Sequence, residues 1–228
     1  EGLFDDAVNL LVDRGDAAAA FQVADRARAR ALLDVDDASA LQATSLPIVD
    51  ALRDVPLLEF VVLDRSVVLF CVRGGVVTMH RLPIGVDTLR ARIEELHRLI
   101  AKESPQRIRN ATAELYDLLL APVSDRIATA KALIIVPDDQ LQRVPFAALW
   151  NRSTQQYLVQ SYAISIAPSA AILTRRMAPL RAQRSALLIG NGAGNEEESL
   201  GYLSNVDDEI AALRRVYRSS RVFVGPEA

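Results

Sequence analysis

Two stretches of the sequence carry residue types that can do chemistry. Cys71 and His80 lie on neighbouring apolar segments, and a thiolate activated by an imidazole is the core of cysteine-protease chemistry. Their setting argues against that role. Cys71 stands between Phe70 and Val72 in an apolar run, where a free cysteine behaves as a small buried hydrophobe, whereas nucleophiles favour strand ends and loops. His80 reads as the polar member of an alternating strand. The second stretch is Gly190-Asn191-Gly192-Ala193-Gly194-Asn195, directly after an apolar run. Backbone amides in such a loop can cradle phosphate. However, no Gly-Lys-Ser/Thr follows, Glu196-Glu197-Glu198 would repel an anion, and the next helical pattern starts well downstream. Nucleotide binding is therefore the less favoured alternative. Arg26, Arg28 and Arg30 are read as a solvated helix face rather than an anion site, and His97 as a boundary residue on an amphipathic helix. No catalytic, cofactor-binding or metal-binding residue is assigned within the chain, and no cofactor is expected.

The elements that must position these residues follow from composition and periodicity. With 228 residues and 50% hydrophobic content, the chain can fill a sizeable core. Its net charge of −3 comes from 26 basic and 29 acidic residues spread along the sequence, so no basic stripe announces nucleic acid. A single cysteine and the absence of Cys/His clusters suit a reducing cytoplasm. No apolar run approaches the length of a membrane helix, and no export signal opens the sequence. The chain starts at Glu1 rather than Met, and is expected to be a piece of a longer protein.

Residues 3–14 place Leu3, Phe4, Ala7, Val8 and Leu11 on one helical face. Gly15-Asp16 then supplies a C-terminal glycine and the N-cap of a second helix over 17–33. After an acidic linker at 34–46, valine- and leucine-rich runs at 57–63, 67–72 and 76–82 predict a three-stranded meander, with Gly74-Gly75 as a hairpin turn. Helices are predicted over 86–102 and 106–120. A buried strand is predicted at 132–136, stopped by Pro137 and the turn pair Asp138-Asp139. A short docked segment carries Leu141, Val144, Phe146 and Leu149, and a further strand covers 162–166. Ser169 is the expected N-cap of a helix through Met177. Strands at 185–189 and 221–224 close the pattern, which alternates as an α/β sandwich does.

Val136-Pro137-Asp138, Leu141, Val144-Pro145-Phe146, Leu149, Tyr157-Leu158 and Ile166-Ala167-Pro168-Ser169 resemble, in order and spacing, the middle of CHAT domains, the caspase-like modules found behind TPR repeats. Leu203, Val206, Glu209 and Ile210 resemble that family's Leu-Pro-x-Ala-x-x-Glu-Ile helix start. Ser204 and Val206 depart from its usual proline and alanine. Gly225 and Ala228 resemble the opening of its Gly-x-x-Ala-Thr segment. Upstream, Gly15-Asp16, Ala20, Ala24 and Ala27 resemble the turn and packing positions of a TPR repeat.

The resemblance implies a TPR-like hairpin and linker at 1–45, the non-catalytic half of a caspase-like α/β sandwich at 46–180, and the start of its catalytic half at 181–228. In CHAT proteins similar to caspases and separase, the catalytic histidine and cysteine lie on later strands, which places them beyond Ala228. The chain is accordingly expected to be a non-catalytic fragment of a cysteine endopeptidase. The alternative is a non-enzymatic, caspase-like scaffold. Expected partners are proteins, as substrate or ligand of the TPR-like and CHAT surfaces, with no nucleic acid and no membrane. Self-association is expected at a sheet edge near Val222 to Val224.

Overall fold

The computed structural model describes residues 2–32, 54–101, 105–174, 185–193, 201–217 and 219–225, and the chain divides into two compact units, Glu1–Arg176 and Met177–Ala228. Both expected domain boundaries and the acidic linker at 34–46 lie outside the described residues.

The first unit opens with two helices, α1 (Gly2–Asp13) and α2 (Ala17–Leu32). Gly15 turns the chain at φ 77°, a conformation that favours glycine. Asp16 Oδ1 accepts a hydrogen bond from the Ala19 amide at 3.0 Å, the N-cap read from the sequence. A meander follows: β1 (Leu57–Val62), β2 (Val67–Arg73) and β3 (Val76–Arg81) pair antiparallel, with Leu57 opposite Val72 and Cys71 opposite Thr78. Gly74 and Gly75 both have positive φ, 59° and 80°, the geometry of a tight two-residue hairpin. After α3 (Val86–Ala101), α4 (Pro105–Leu119) and the short α5 (Ser124–Ile127) comes β4 (Ala132–Val136). It lies parallel to β1, with Leu57 opposite Ile134. The segment after it makes two 3-10 turns, a small ladder of β5 (Trp150–Asn151) with β6 (Gln156–Tyr157), and α6 (Leu158–Ser161). It then returns as β7 (Ala163–Ile166), parallel to β4, and ends in α7 (Ala170–Thr174). The five-stranded sheet is therefore mixed, in the order β3-β2-β1-β4-β7.

Side chains alternate across the sheet, and each face has its own core. Leu58, Phe60, Leu69, Cys71, Leu133 and Ile135 form one core with Leu89, Ile93 and Leu96 of α3 and Leu115 and Leu119 of α4. Leu57, Val61, Val68, Phe70, Val72 and Val136 form the other with Val8 and Val12 of α1 and Ala20, Phe21 and Ala24 of α2. The rings of Phe21 and Phe70 meet edge to face at 5.9 Å, an arrangement the ring quadrupoles favour. Covering on both faces explains why β1 and β2 read as unbroken apolar runs. The edge strand β3 is half-buried along its middle and exposed at both ends. The docked segment also behaves as read, with Leu141, Val144, Phe146 and Leu149 all buried.

The second unit contains β8 (Ser185–Gly190), α8 (Val206–Val216) and β9 (Ser219–Val224), the strands pairing parallel with Leu188 opposite Val222. Parallel neighbours need a crossover, and α8 supplies it.

Candidate functional site

The most unusual chemistry in the first unit is a buried polar joint at α2. Asp25 and Arg28 lie one helical turn apart and point towards the sheet side of the helix. Arg28 is not on a solvated face, as its alternation with alanines suggested: its side chain is only 12% exposed. One guanidinium nitrogen, Nη2, donates to the Phe60 carbonyl at 2.7 Å and lies 3.2 Å from Asp138 Oδ1. The other, Nη1, lies 3.0 Å from Glu59 Oε1, close enough for ion pairing but without a directed hydrogen bond. Arg26 is exposed, as expected of a solvated face, and the side chain of Arg30 lies outside the described residues. Asp138 Oδ2 also accepts from the Val62 amide at 2.8 Å, tying the Pro-Asp turn to the end of β1. The next residue, Asp139, adopts φ 45°, which a short polar side chain tolerates.

Asp25 reaches the other way, to the start of α7. Its Oδ1 accepts from the Ser169 hydroxyl at 2.8 Å and from the Ala171 amide at 3.1 Å. Ser169 immediately precedes α7, and the helix end expected at Met177 lies outside the described residues. A carboxylate from α2 thus accepts from the first turn of α7, and the Ser169 hydroxyl donates to the same oxygen. Glu59 and Asp25 are both fully buried. Burial pushes the Glu59 carboxyl well above its ordinary range, against the pull of Arg28 and with Asp25 and Asp138 adding to the rise. Burial likewise raises Asp25, against its hydrogen bonds from Ala171 and Ser169. The sequence held one signal for this joint: Glu59 is the one charged residue in the apolar run of residues 57–63.

Cys71 and His80 point from the same sheet face, since Cys71 is opposite Thr78 and Leu69 opposite His80. They do not form an exposed reactive pair. Cys71 is fully buried, and burial raises its thiol above the ordinary value, which disfavours the thiolate. The His80 ring is half-buried, and burial, then the nearby Arg126 guanidinium, lowers its pKa. Arg126 donates to the carbonyls of Arg73 and Val76, so this corner is held by backbone contacts. His97 Nε2 lies 2.9 Å from the Arg143 carbonyl, linking α3 to the docked segment.

In the second unit the glycines of the loop after β8 sit under α8. A Cβ at Gly190 would lie 2.4 Å from Ile210 Cδ1 and 2.7 Å from Val206 Cγ1. One at Gly192 would lie 2.8 Å from the Leu203 carbonyl oxygen, and the Leu203 amide donates to the Gly192 carbonyl at 3.0 Å. Close packing of strand and helix thus accounts for Gly190, and close approach of two backbone segments for Gly192. Gly194, Asn195 and Glu196 to Glu198 lie outside the described residues. Among the described residues no group of three or more His, Cys, Asp or Glu side chains could hold a metal ion, and no helix is long and apolar enough to cross a membrane.

No curated protein matches the chain. The family profile described as the CHAT domain matches residues 109–228, from the first half of α4 onwards. That span exceeds half of the sequence and contains every motif between Val136 and Ile210 on which the resemblance was read, so the chain belongs to the CHAT domain family.

Proposed function

We propose that this chain is the supporting portion of a caspase-like cysteine endopeptidase, with the Cys/His pair of the parent protein lying beyond Ala228. The observation that carries this reading is the CHAT match over residues 109–228 combined with the sequestration of Cys71, the single cysteine of the sequence, in the core beneath α3 and α4. A nucleophile needs a thiolate and a path for substrate, and Cys71 has neither. The α1–α2 hairpin, with Ala20 and Ala24 buried in its seam, is read as the TPR-like end of a partner-binding array that governs the parent's activity. The sheet and its helices then hold the framework on which the catalytic strands are built.

A non-enzymatic scaffold is the competing reading, favoured by the apolar side chains that β8 and β9 leave exposed, Leu187, Ile189 and Phe223. A peptidyl electrophile that alkylates activated thiols separates the two. In the longer parent protein, peptide mapping finds the label outside residues 1–228, and the present chain alone stays unlabelled. Labelling of Cys71 in the folded chain overturns the assignment of this chain as non-catalytic, and a parent that is labelled nowhere supports the scaffold.

A further inference from the structure

The joint beneath α2 holds more negative groups than positive ones. Arg28 from α2 faces Glu59 from β1 and Asp138 from the turn after β4, and Asp25 from α2 completes the set of charged groups around Glu59. One guanidinium thus serves three carboxyl groups, of which Asp25 and Glu59 are fully buried. Among the described residues both oxygens of Glu59 and Oδ2 of Asp25 lack a hydrogen-bond partner. A buried carboxylate without partners is expensive, and a proton removes most of that penalty.

We propose that the joint is a proton-dependent latch: the α1–α2 hairpin is held on the sheet while a proton resides on the Glu59/Asp25 pair, and loosens when that proton leaves. Arg28 Nη2 then keeps Asp138 as its charged partner, and the protonated carboxyl sits neutral beside Nη1. Loss of the proton leaves Glu59 and Asp25 repelling each other across a dry interface, and separation of α2 from β1 relieves both. Because the docked state binds more protons than the separated state, rising pH favours separation. The contacts of Arg28 with Phe60 and Asp138 and of Asp25 with Ser169 and Ala171 would loosen together with the hairpin. The inference is independent of the peptidase reading.

Amide hydrogen exchange across pH 5 to 9 (roughly the span between the usual carboxylate and thiol pKa values), corrected for intrinsic rates, tests it on the chain as it stands. Protection of α2 is expected to fall with rising pH by up to about tenfold per pH unit, the limit for one linked proton, while α3 keeps its protection. Glu59→Gln, a neutral isostere, should flatten that slope. Asp25→Asn serves as the second variant, and flattening by either variant supports the latch and shows which carboxyl holds the proton. PH-independent protection of α2 in the wild type, an equal fall in α2 and α3, or retention of the full slope by both variants would overturn it.

Discussion

At the scale of the residue, Arg28 is the side chain on which most depends. Truncating it leaves Glu59 and Asp138 facing each other with no cation between them, and breaking a buried pair from one side typically destabilises by about 3–5 kcal/mol. Arg28→Met should therefore lower the urea midpoint sharply, whereas Arg26→Ala, on the exposed flank of the same helix, should change stability by no more than about 0.5 kcal/mol. Equal, small effects of the two would mean that the joint is solvated after all. This contrast was not legible in the sequence. Arg26, Arg28 and Arg30 alternate with alanine, and nothing local distinguishes the middle one. Its partners are 31 and 110 positions away, brought together only by the packing of α2 across β1 and the turn after β4. The reading of Cys71, by contrast, needed only its apolar neighbours, because burial of a strand residue is a local pattern.

At the scale of the element, strands, helices and turns were readable where punctuation is strong. Gly15 and Gly74-Gly75 mark boundaries through positive φ that few other residues tolerate, and Pro137 ends β4 because it has no amide to donate. Caps formed at long range escaped. Ser169 has the right type and position for an N-cap, but nothing local announces Asp25, 146 residues from the Ala171 amide it accepts from. The glycines after β8 illustrate the same limit from the other side, since a phosphate loop and a close helix–strand crossing look alike in sequence. Contact geometry at Gly190 and Gly192 ranks two substitutions. The Cβ of Gly190→Ala would meet only side-chain ends, Ile210 Cδ1 and Val206 Cγ1, which can give by shifting the helix side chains, at a cost of about 1–2 kcal/mol. The Cβ of Gly192→Ala would meet the Leu203 backbone carbonyl, which has no side-chain rotamer to move to, so it should destabilise the second unit more, by about 2–3 kcal/mol. Hydrogen exchange of β8 and α8 reads both, and the reverse order would contradict this account of the glycines.

At the scale of the whole molecule, the α1–α2 hairpin forms one helical layer of the first unit, with α3 and α4 forming the opposite one. The three-layer arrangement was legible as an α/β sandwich. That the hairpin supplies a layer was not, because its apolar face was equally compatible with a neighbouring repeat. In the second unit, β8 and β9 leave Leu187 and Ile189 61% exposed and Phe223 41% exposed, an apolar strip on a parallel pair, a type of sheet normally covered on both faces. Concentration-dependent self-association of the chain is expected from it. Sedimentation should show that association weakened by Ile189→Lys, and a monomer at all concentrations would contradict the expectation. The central claim is that this CHAT chain supports proteolysis without performing it. Its most direct test is cleavage of a protein substrate by the longer parent carrying Cys71→Ala. An unchanged cleavage rate is expected, with activity lost only on replacing a cysteine outside residues 1–228. Abolition of cleavage by Cys71→Ala in a parent that remains folded would contradict it.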